Sequence, residues 1–366
     1  MKRIRLLSLL LAPALALSLL AACGGTKAPT GSNSPDPAGS NSPAASTPIT
    51  LKVSSVFNEG SIMCDSLEHM CALIEEATGG SITFDRFYGG TLCTLPEEFR
   101  YVVSGAVDLA APMQGTAASV MPLWQNPALG NDAADGVDIS NYIANEDPVT
   151  APLLQAQAEA AGVHPFGYNV GDYNAIVCRT AASSLDDLMG RAFGIPAQGA
   201  AVYEAYGLSV VTCEAADAYE SLSRGVVDTF CAGISSIAGM RLYENGQSCL
   251  VIPSTGGTGI VMMNQATWNK LSAEQQAIVT KAYEDTLEWM KGRYANELLP
   301  GYEAAIGQKC NIVYVEGEEL ARMNDIRQTS SAASYRAAAE TAGCLTDYET
   351  VTQAAIEYAA QVNAAG

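Results

Sequence analysis

The sequence has very few histidines and few basic side chains. Of 366 residues only His69 and His164 are histidines, and 19 lysines and arginines stand against 39 aspartates and glutamates. Two histidines leave little for a zinc site or for general-base chemistry. A formal charge of −20 without a basic stripe repels phosphates, so nucleic-acid binding is excluded as the main activity.

Motifs of several catalytic and cofactor-binding classes are also missing. The sequence has no G-x-S-x-G, no H-E-x-x-H, no P-loop and no C-x-x-C. Of the ten cysteines, Cys23 follows an apolar N-terminal run and is a candidate for lipidation. The other nine are an odd number, so at least one thiol stays unpaired, and spacing alone leaves the disulfide pairing open. We therefore expect no catalytic residue, no cofactor and no metal site.

Charged residues make up only 16% of the chain and hydrophobic residues 48%, which rules out disorder of the whole chain. At roughly 150 residues per domain, the length leaves room for about two domains.

No apolar run is long enough to span a bilayer as a helix. The longest follows Lys2, Arg3 and Arg5 and covers Leu6 to Leu20, short of the roughly 20 residues that a span needs. It fits the apolar part of a secretory signal. The run ends in Leu20-Ala21-Ala22-Cys23, which resembles a bacterial lipobox. The sequence thus predicts a signal peptide over 1–22 and a lipidated, palmitate-bearing Cys23.

Residues 24–48 consist almost entirely of Gly, Ser, Pro, Asn, Thr and Ala, and the pentapeptide GSNSP occurs twice. Such a composition cannot bury enough apolar surface to offset the entropy of ordering. We interpret 23–48 as the lipidated cysteine and a flexible linker, in an extracytoplasmic protein anchored to the cell membrane by lipid.

From residue 49 the hydrophobic pattern alternates between strands and amphipathic helices. The pattern predicts strands at 51–57, 82–87 and 107–111, a helix at 62–77, and a second helix that ends at Gly105. This βαβαβ order is typical of a mostly parallel sheet with helices on its faces.

A ten-residue sequence motif occurs twice. FRYVVSGAVD at 99–108 and YESLSRGVVD at 219–228 both predict a helix ended by glycine and followed by Val-Asp. The repeat suggests two similar lobes, and it gives Asp108 and Asp228 equivalent roles at a strand edge or a helix cap. A long helix from Ala273 to about Glu297 exceeds one small lobe and could brace both. Further helices are predicted at 317–341 and 347–363.

Several segments together resemble one family. YGGTLCTLPEEFRYVVSGAVDLAAP (88–112), MPLWQNPALG (121–130), SSLDDLMGRAFGIP (183–196), AYESLSRGVVDTF (218–230) and MMNQATWNKLSAEQQAIV (262–279) occur in order. They resemble the substrate-binding subunits of tripartite ATP-independent periplasmic (TRAP) transporters, the DctP-type family. The resemblance implies an α/β, two-lobed fold like that of periplasmic binding proteins, with a long helix bracing both lobes.

The resemblance also implies a function and an organisation. Such a protein closes over one small molecule, typically an organic acid, hands it to the TRAP permease membrane subunits and catalyses nothing. The solute-binding domain would cover 49–345, with lobe I at about 49–165 plus a later crossing segment and lobe II at about 166–260. A C-terminal helix would follow at 346–366.

The candidate site differs from the family pattern at one important position. The family usually has arginine two residues before the proline of the 183–196 segment, where it binds a substrate carboxylate. Here that position is Gly194, and Arg179 or Arg191 would have to replace the arginine. The sequence therefore predicts weak binding of C4-dicarboxylates and an aromatic or uncharged ligand.

Candidate ligand-binding residues come from loops at the strand ends and from the segment between the lobes. They are Phe57, Asn58, Glu59, Tyr88, Met113, Gln114, Trp124, Tyr168, Tyr173, Asn174, Arg179, Gly194, Gln198, Phe230 and Ala232. Two other functions stay open at this point: a binding protein for an ABC importer or a sensor, and an extracellular enzyme on a two-lobed scaffold.

Overall fold

Two mixed β-sheets form the centres of two lobes. A computed structural model of the protein describes residues 48–126, 128–129, 136–255 and 258–365. The predicted signal peptide and Cys23 lie outside the described residues. Both sheets belong to one compact unit of the chain.

The strands are β1 (Ile49–Ser54), β2 (Ile82–Phe87), β3 (Leu109–Ala110), β4 (Val163–Tyr168), β5 (Tyr173–Cys178), β6 (Ala192–Ile195), β7 (Ser209–Thr212), β8 (Thr229–Gly233), β9 (Ser248–Thr255), β10 (Ile260–Asn264) and β11 (Asn311–Tyr314). The α-helices are α1 (Ile62–Ala77), α2 (Glu98–Val103), α3 (Gly136–Asn145), α4 (Thr150–Ala161), α5 (Ala200–Tyr206), α6 (Ala218–Arg224), α7 (Ile234–Gly239), α8 (Gln265–Trp268), α9 (Ala273–Arg293), α10 (Leu299–Ile306), α11 (Gly317–Thr341) and α12 (Leu345–Ala365).

Lobe I is built on a sheet of strand order β2-β1-β3-β10-β4. Strand β1 is parallel to both β2 and β3, as the βαβαβ pattern predicts. Strand β10 comes from much later in the sequence and pairs antiparallel with β3 and with β4. It lies between β3 and β4 in this sheet.

Lobe II is built on a sheet of strand order β11-β9-β5-β8-β6-β7. Strand β6 is parallel to β7 and β8, whereas β5 pairs antiparallel with β8 and β9. The observed α/β, two-sheet architecture is the predicted fold class, although both sheets are mixed.

Helix α1 shows how closely local sequence sets an element. The Ser61 hydroxyl accepts a hydrogen bond from the Cys64 backbone N–H at the first turn. Gly79 and Gly80 follow the helix with φ of +58° and +78°, a region that favours glycine. The apolar face, including Leu67 and Ile74, is buried in the lobe I core. The predicted range, 62–77, is the observed one.

The duplicated motif, at 99–108 and 219–228, makes the same contact between aspartate and a neighbouring strand in both lobes. Gly105 and Gly225 both have positive φ after their helices. The Asp108 carboxylate accepts the Lys52 backbone N–H at 2.8 Å, and the Asp228 carboxylate accepts the Ala192 backbone N–H at 2.9 Å. Each aspartate thus ties its strand to the neighbouring parallel strand, which is the strand-edge role that the repeat predicts.

Two helical segments contact both lobes. The first is α9, a π-helical turn at Tyr294–Leu298 and α10, in which α9 packs against α1 in lobe I and α10 against α7 in lobe II. The π turn lies just before Pro300, whose ring cannot sit against a regular preceding α-turn. The second is α11: Met323 belongs to a lobe II core cluster, and Ala339 to the lobe I core.

Within the described residues, no helix is both long enough and apolar enough to cross a membrane. The nine described cysteines are all free thiols, and all except Cys344 are buried.

Candidate functional site

Strands β1, β2 and β3 end at the same edge of the lobe I sheet, which we call the carboxyl edge of lobe I. Glu59 and Tyr88 lie in the loops after β1 and β2 and line a cavity of about 580 Å³. The cavity's other lining residues are Cys64, Asp65, Glu68, Arg86 and Thr91. Phe57, half-buried, and Asn58, exposed, lie in the same loop as Glu59. The structure therefore places these four predicted residues together.

The lining of this cavity is predominantly acidic, because Arg86, the cationic side chain in it, is already paired with carboxylates. The Arg86 guanidinium donates to Glu68 at 2.8 Å and to both carboxylate oxygens of Glu75 at 3.1 Å. The hydrogen bonds from Arg86 lower the pKa of Glu75 and raise that of Arg86. Burial, reinforced by the neighbouring carboxylates of Asp65, Glu59 and Glu68, raises the pKa of the Cys64 thiol to about 12. A further negative group would be repelled here.

An ion pair links this edge to the long helical segment. Asp65, at the start of α1, lies 2.6 Å from the Arg293 guanidinium at the end of α9. Its other oxygen accepts the Gly60 backbone N–H at 2.8 Å. Asp65 thus fixes the loop after β1 and holds a second cation.

The loop after β3 forms the other part of the carboxyl edge of lobe I. Met113 forms an isolated bridge with Gly259, and the Gln114 side chain donates to the Leu129 carbonyl at 2.9 Å. The Gln125 side-chain oxygen accepts the Gly115 backbone N–H. Gln125 is 1% exposed, and its side-chain nitrogen has no hydrogen-bond partner among the described residues. Within the part of the chain that the structure describes, this edge therefore has a buried donor without an acceptor.

Two aromatic candidates lie in the lobe I core. The Trp124 indole N–H donates to the Leu154 carbonyl at 2.8 Å, and the Tyr168 hydroxyl donates to the Trp124 carbonyl at 2.7 Å. Both side chains are fully buried. Their observed role is packing, and contact with a ligand stays a prediction.

In lobe II the parallel strands β6 and β8 end at Ile195 and Gly233, which define the carboxyl edge of lobe II. Gly194 lies just before it, and a Cβ there would be 2.9 Å from the Thr229 carbonyl and 3.1 Å from the Val227 methyl groups. Close packing within the sheet thus occupies the space in which the arginine side chain of the family pattern would lie. Gln198 lies in a short 3₁₀ turn at Ala197–Gly199, Ala232 is half-buried in β8, and Phe230 is fully buried in the core.

The two arginines proposed to replace the family arginine lie at the opposite end of this sheet. Arg179 follows the antiparallel strand β5 and forms an ion pair with Asp228, 3.7 Å away, just before β8 begins. Arg191 precedes β6 and donates to the Thr180 and Ala181 carbonyls. Strand β8 is about 13 Å long at roughly 3.3 Å per residue. The strand directions therefore put both arginines at the amino ends of β6 and β8, away from the carboxyl edge, and contact of either with a ligand stays a prediction.

The segment between β4 and β5 connects the lobes and carries a buried carboxylate. Asp172 accepts the Ser235 hydroxyl at 2.6 Å, the Ser235 backbone N–H at 2.9 Å and the Tyr294 hydroxyl at 3.0 Å. Burial raises the pKa of Asp172, and these donors oppose part of that rise. The Tyr173 backbone N–H donates to the Tyr294 hydroxyl at 3.0 Å. Asn174 is half-buried and pairs with Gly233 across the sheet.

Sequence reasoning missed Arg86, Asp172 and the α1 carboxylates. Arg86 stands at the end of the predicted strand 82–87, and Asp172 in the polar segment just before a predicted strand, so position at a strand end was the available signal. Among the described residues, no group of three His, Cys, Asp or Glu side chains is placed to hold a metal ion. The carboxyl edges of the two lobes therefore offer a ligand hydrogen-bonding and charged side chains.

The family model for bacterial extracellular solute-binding proteins, family 7 (DctP), matches residues 53–337. A solute-binding protein of Sulfitobacter sp. strain NAS-14.1 is 27% identical over 255 residues, which are 68% of this chain and 74% of that protein.

Solved structures share the fold. A TRAP periplasmic solute-binding protein from Sulfitobacter sp. NAS-14.1, with bound β-D-galacturonate, has a TM-score of 0.64 and 16% identity and covers 83% of this chain and 99% of its own. A marine metagenome TRAP solute-binding protein in complex with co-purified pyroglutamate has a TM-score of 0.66 and 16% identity, covering 85% and 99%.

Proposed function

The chain belongs to bacterial extracellular solute-binding protein family 7, the DctP family, and from this membership we propose that it captures a small organic acid between its two lobes and delivers it to a TRAP-type permease without catalysis. The family match over residues 53–337 is the observation that carries the proposal.

The positions of the two sheet edges support capture between the lobes. Ligands of open α/β sheets bind outside the carboxyl ends of the parallel strands. Each lobe has such an edge, and the 169–172 segment, α9–α10 and α11 connect the lobes. A hinge that brings two edges together is a common way to enclose a small ligand. We assign lobe I to about 49–165 with the crossing segment and lobe II to about 166–260.

The ligands of relatives favour an organic acid. Galacturonate and pyroglutamate, bound in two proteins of the same fold, each carry one carboxylate. We expect a ligand of this class here, although its identity has to be measured.

We also propose that Cys23 carries a lipid that holds the protein at the outer face of the cell membrane, after removal of residues 1–22. The signal-like apolar run and the lipobox pattern support this. An anchor of this kind would keep the solute-binding domain close to its permease.

Mass spectrometry of small molecules that co-purify with the full-length protein tests the proposal. We expect an intact organic acid that binds reversibly in calorimetric titration and is taken up by membranes containing a TRAP permease. Chemical conversion of the bound molecule would favour an enzyme instead. Uptake that requires ATP would favour an ABC importer.

A further inference from the structure

Two consecutive residues of the long helical segment are held by opposite lobes. The Arg293 guanidinium, at the end of α9, lies 2.6 Å from the Asp65 carboxylate of α1 in lobe I. The hydroxyl of the next residue, Tyr294, donates to Asp172 at 3.0 Å. Asp172 is fixed to lobe II, because it accepts the backbone N–H and the hydroxyl of Ser235 in α7 at 2.9 and 2.6 Å. The peptide between Arg293 and Tyr294 therefore joins a lobe I contact to a lobe II contact.

The connecting segment between β4 and β5 is held in the same way. The Asn169 side-chain amide donates to the Met63 sulfur of α1, in lobe I, at 3.6 Å. Three residues later, Asp172 is fixed to lobe II. Only residues 170–171 lie between the two attachments. The angle between the lobes is thus set by side-chain contacts at two places, 170–171 and 293–294.

The backbone can bend at the second of these places. A π-helical turn begins at Tyr294 and ends at Leu298. Such a turn departs from the regular α-helical hydrogen-bond pattern, and a few residues of this kind can absorb a change of angle between lobes. Because the contacts of Arg293 and Tyr294 belong to different lobes, a rotation about this turn has to strain or break one of them.

The side chains at this turn form one charged cluster. Tyr302 of α10 packs against the core clusters of both lobes. Burial raises the pKa of its hydroxyl to about 12, the Asp172 carboxylate adds to the rise, and the Arg293 guanidinium opposes it. The side chains of Arg293 and Asp65 are only 25% and 19% exposed. Arg293 therefore lies beside a carboxylate of lobe I and near the carboxylate of the connecting segment, where solvent screens charge less than at the surface.

Asp65 also belongs to the cavity at the carboxyl edge of lobe I. The residues that line this cavity, taken from the part of the chain that the structure describes, all fall between Glu59 and Thr91 in lobe I. One Asp65 oxygen accepts the Gly60 backbone N–H, and the other pairs with Arg293. A carboxylate only accepts hydrogen bonds, so a solute hydroxyl or N–H in the cavity would compete with Arg293 for Asp65.

Resting on the proposed function, we propose that the Asp65–Arg293 ion pair and the Asp172–Tyr294 hydrogen bond form a latch that holds the lobes apart in the absence of solute. A solute in the cavity takes over Asp65, frees Arg293 and lets the helical segment bend at the π turn. The latch lowers the population of the closed, binding-competent state, and with it the apparent affinity. Removing a latch contact should therefore tighten solute binding, whereas removing an ordinary structural contact would weaken it.

The distance between the lobes of the solute-free protein tests the latch. Spin labels on Ser119→Cys and Ala197→Cys, two exposed positions at the carboxyl edges of lobe I and lobe II, are measured by double electron–electron resonance. The sample is the full-length protein in detergent, dialysed free of co-purified solute, with Cys344→Ser to remove the half-buried native thiol. We expect one long distance in this reference protein, and a second, shorter distance when Arg293→Gln or Tyr294→Phe is added.

Lys291→Gln is the matched control. Lys291 lies two residues before Arg293 and pairs with Asp138 of α3 at 2.6 Å, a contact within lobe I. Its loss should leave the distance distribution unchanged. Arg293→Lys keeps a cation that can reach Asp65, and should keep the long distance.

Calorimetric titration with galacturonate, glucuronate and pyroglutamate measures the effect on affinity. For a compound that binds, Tyr294→Phe, which changes no charge, should tighten binding about 3- to 10-fold, the equivalent of one hydrogen bond. A lower melting temperature of Tyr294→Phe with wild-type label distances and wild-type affinity would show that Tyr294 is structural, and would overturn the latch.

The outcomes distinguish this inference from the proposed function. Label distances that are unchanged, or longer, in both Arg293→Gln and Tyr294→Phe overturn the latch and leave solute capture intact. Weaker solute binding by Tyr294→Phe does the same. If the wild-type protein binds no compound of the panel and carries no co-purified small molecule, the proposed function fails, while the label distances still decide on the latch.

Discussion

Replacing Glu98 with glutamine should remove a pH dependence from the stability of lobe I. Glu98 begins α2 and is 1% exposed, and neither carboxylate oxygen makes a hydrogen bond within the described residues. Burial raises its pKa from the ordinary 4.5 to about 7, and the nearby Val56 backbone N–H opposes only part of that rise. The protonated side chain is thus the form that the fold accepts.

The sign of the effect follows from proton binding. Between pH 4.5 and about 7 the folded protein keeps a proton on Glu98 that the unfolded chain has released. Stability therefore falls as the pH rises through this range. A gap of about 2.5 pH units, at about 1.36 kcal/mol each, corresponds to about 3 kcal/mol. Glutamine has the shape of the protonated acid and carries no charge, so Glu98→Gln should raise the free energy of unfolding at pH 7.5 by about this amount.

Urea unfolding of wild type and Glu98→Gln from pH 4.5 to 7.5 measures the effect. The neighbouring Glu97 is a matched control: it is only half-buried, and hydrogen bonds from Thr94 lower its pKa. We expect Glu97→Gln to keep the wild-type slope and Glu98→Gln to flatten it. Parallel stability curves for wild type and Glu98→Gln would refute the reasoning.

Three further predictions concern the repeat, the anchor and the cysteines. Asp108→Ala should cost about 2–3 kcal/mol of stability and Asp228→Ala about 1–2 kcal/mol, because Asp108 also accepts the Thr267 hydroxyl at 2.6 Å; equal losses in urea unfolding would contradict this. Cys23→Ala should release the protein from salt-washed membranes, since acyl chains would be its anchor; a variant that stays in the pellet would exclude the lipoprotein interpretation. Among the described cysteines Cys344 should react first with iodoacetamide under native conditions, because the other eight are buried; peptide mapping that finds Cys71 labelled equally fast would be inconsistent with this.

Local signals predicted much of the fold. Helix α1 is predicted over its observed range because its apolar face and its terminating glycines all lie within twenty residues of each other. The repeat is recognisable because, in both copies, a glycine ends the helix and a Val-Asp pair follows within ten residues. The π turn before Pro300 was not predicted, since the apolar pattern continues through it.

The candidate site was harder to predict because it depends on strand direction. Glu59 and Tyr88 follow parallel strands of lobe I, so their place at one edge follows from the βαβ order alone. Arg179 follows a strand that turned out to be antiparallel, which moves it to the other end of lobe II.

Strand β10 has a consequence for how the chain folds. It separates β3 from β4 in the lobe I sheet, yet it is synthesised about 150 residues after β3, from residue 110 to residue 260. Contacts between segments so far apart are slow to form, because a long loop must close before they contribute. The lobe I sheet therefore cannot be completed by its own N-terminal segment, and has to wait until every strand of the lobe II sheet except β11 has been made. We expect the two lobes to become stable in one late step, and a chain shortened before residue 260 to leave an open gap at the middle of its first sheet.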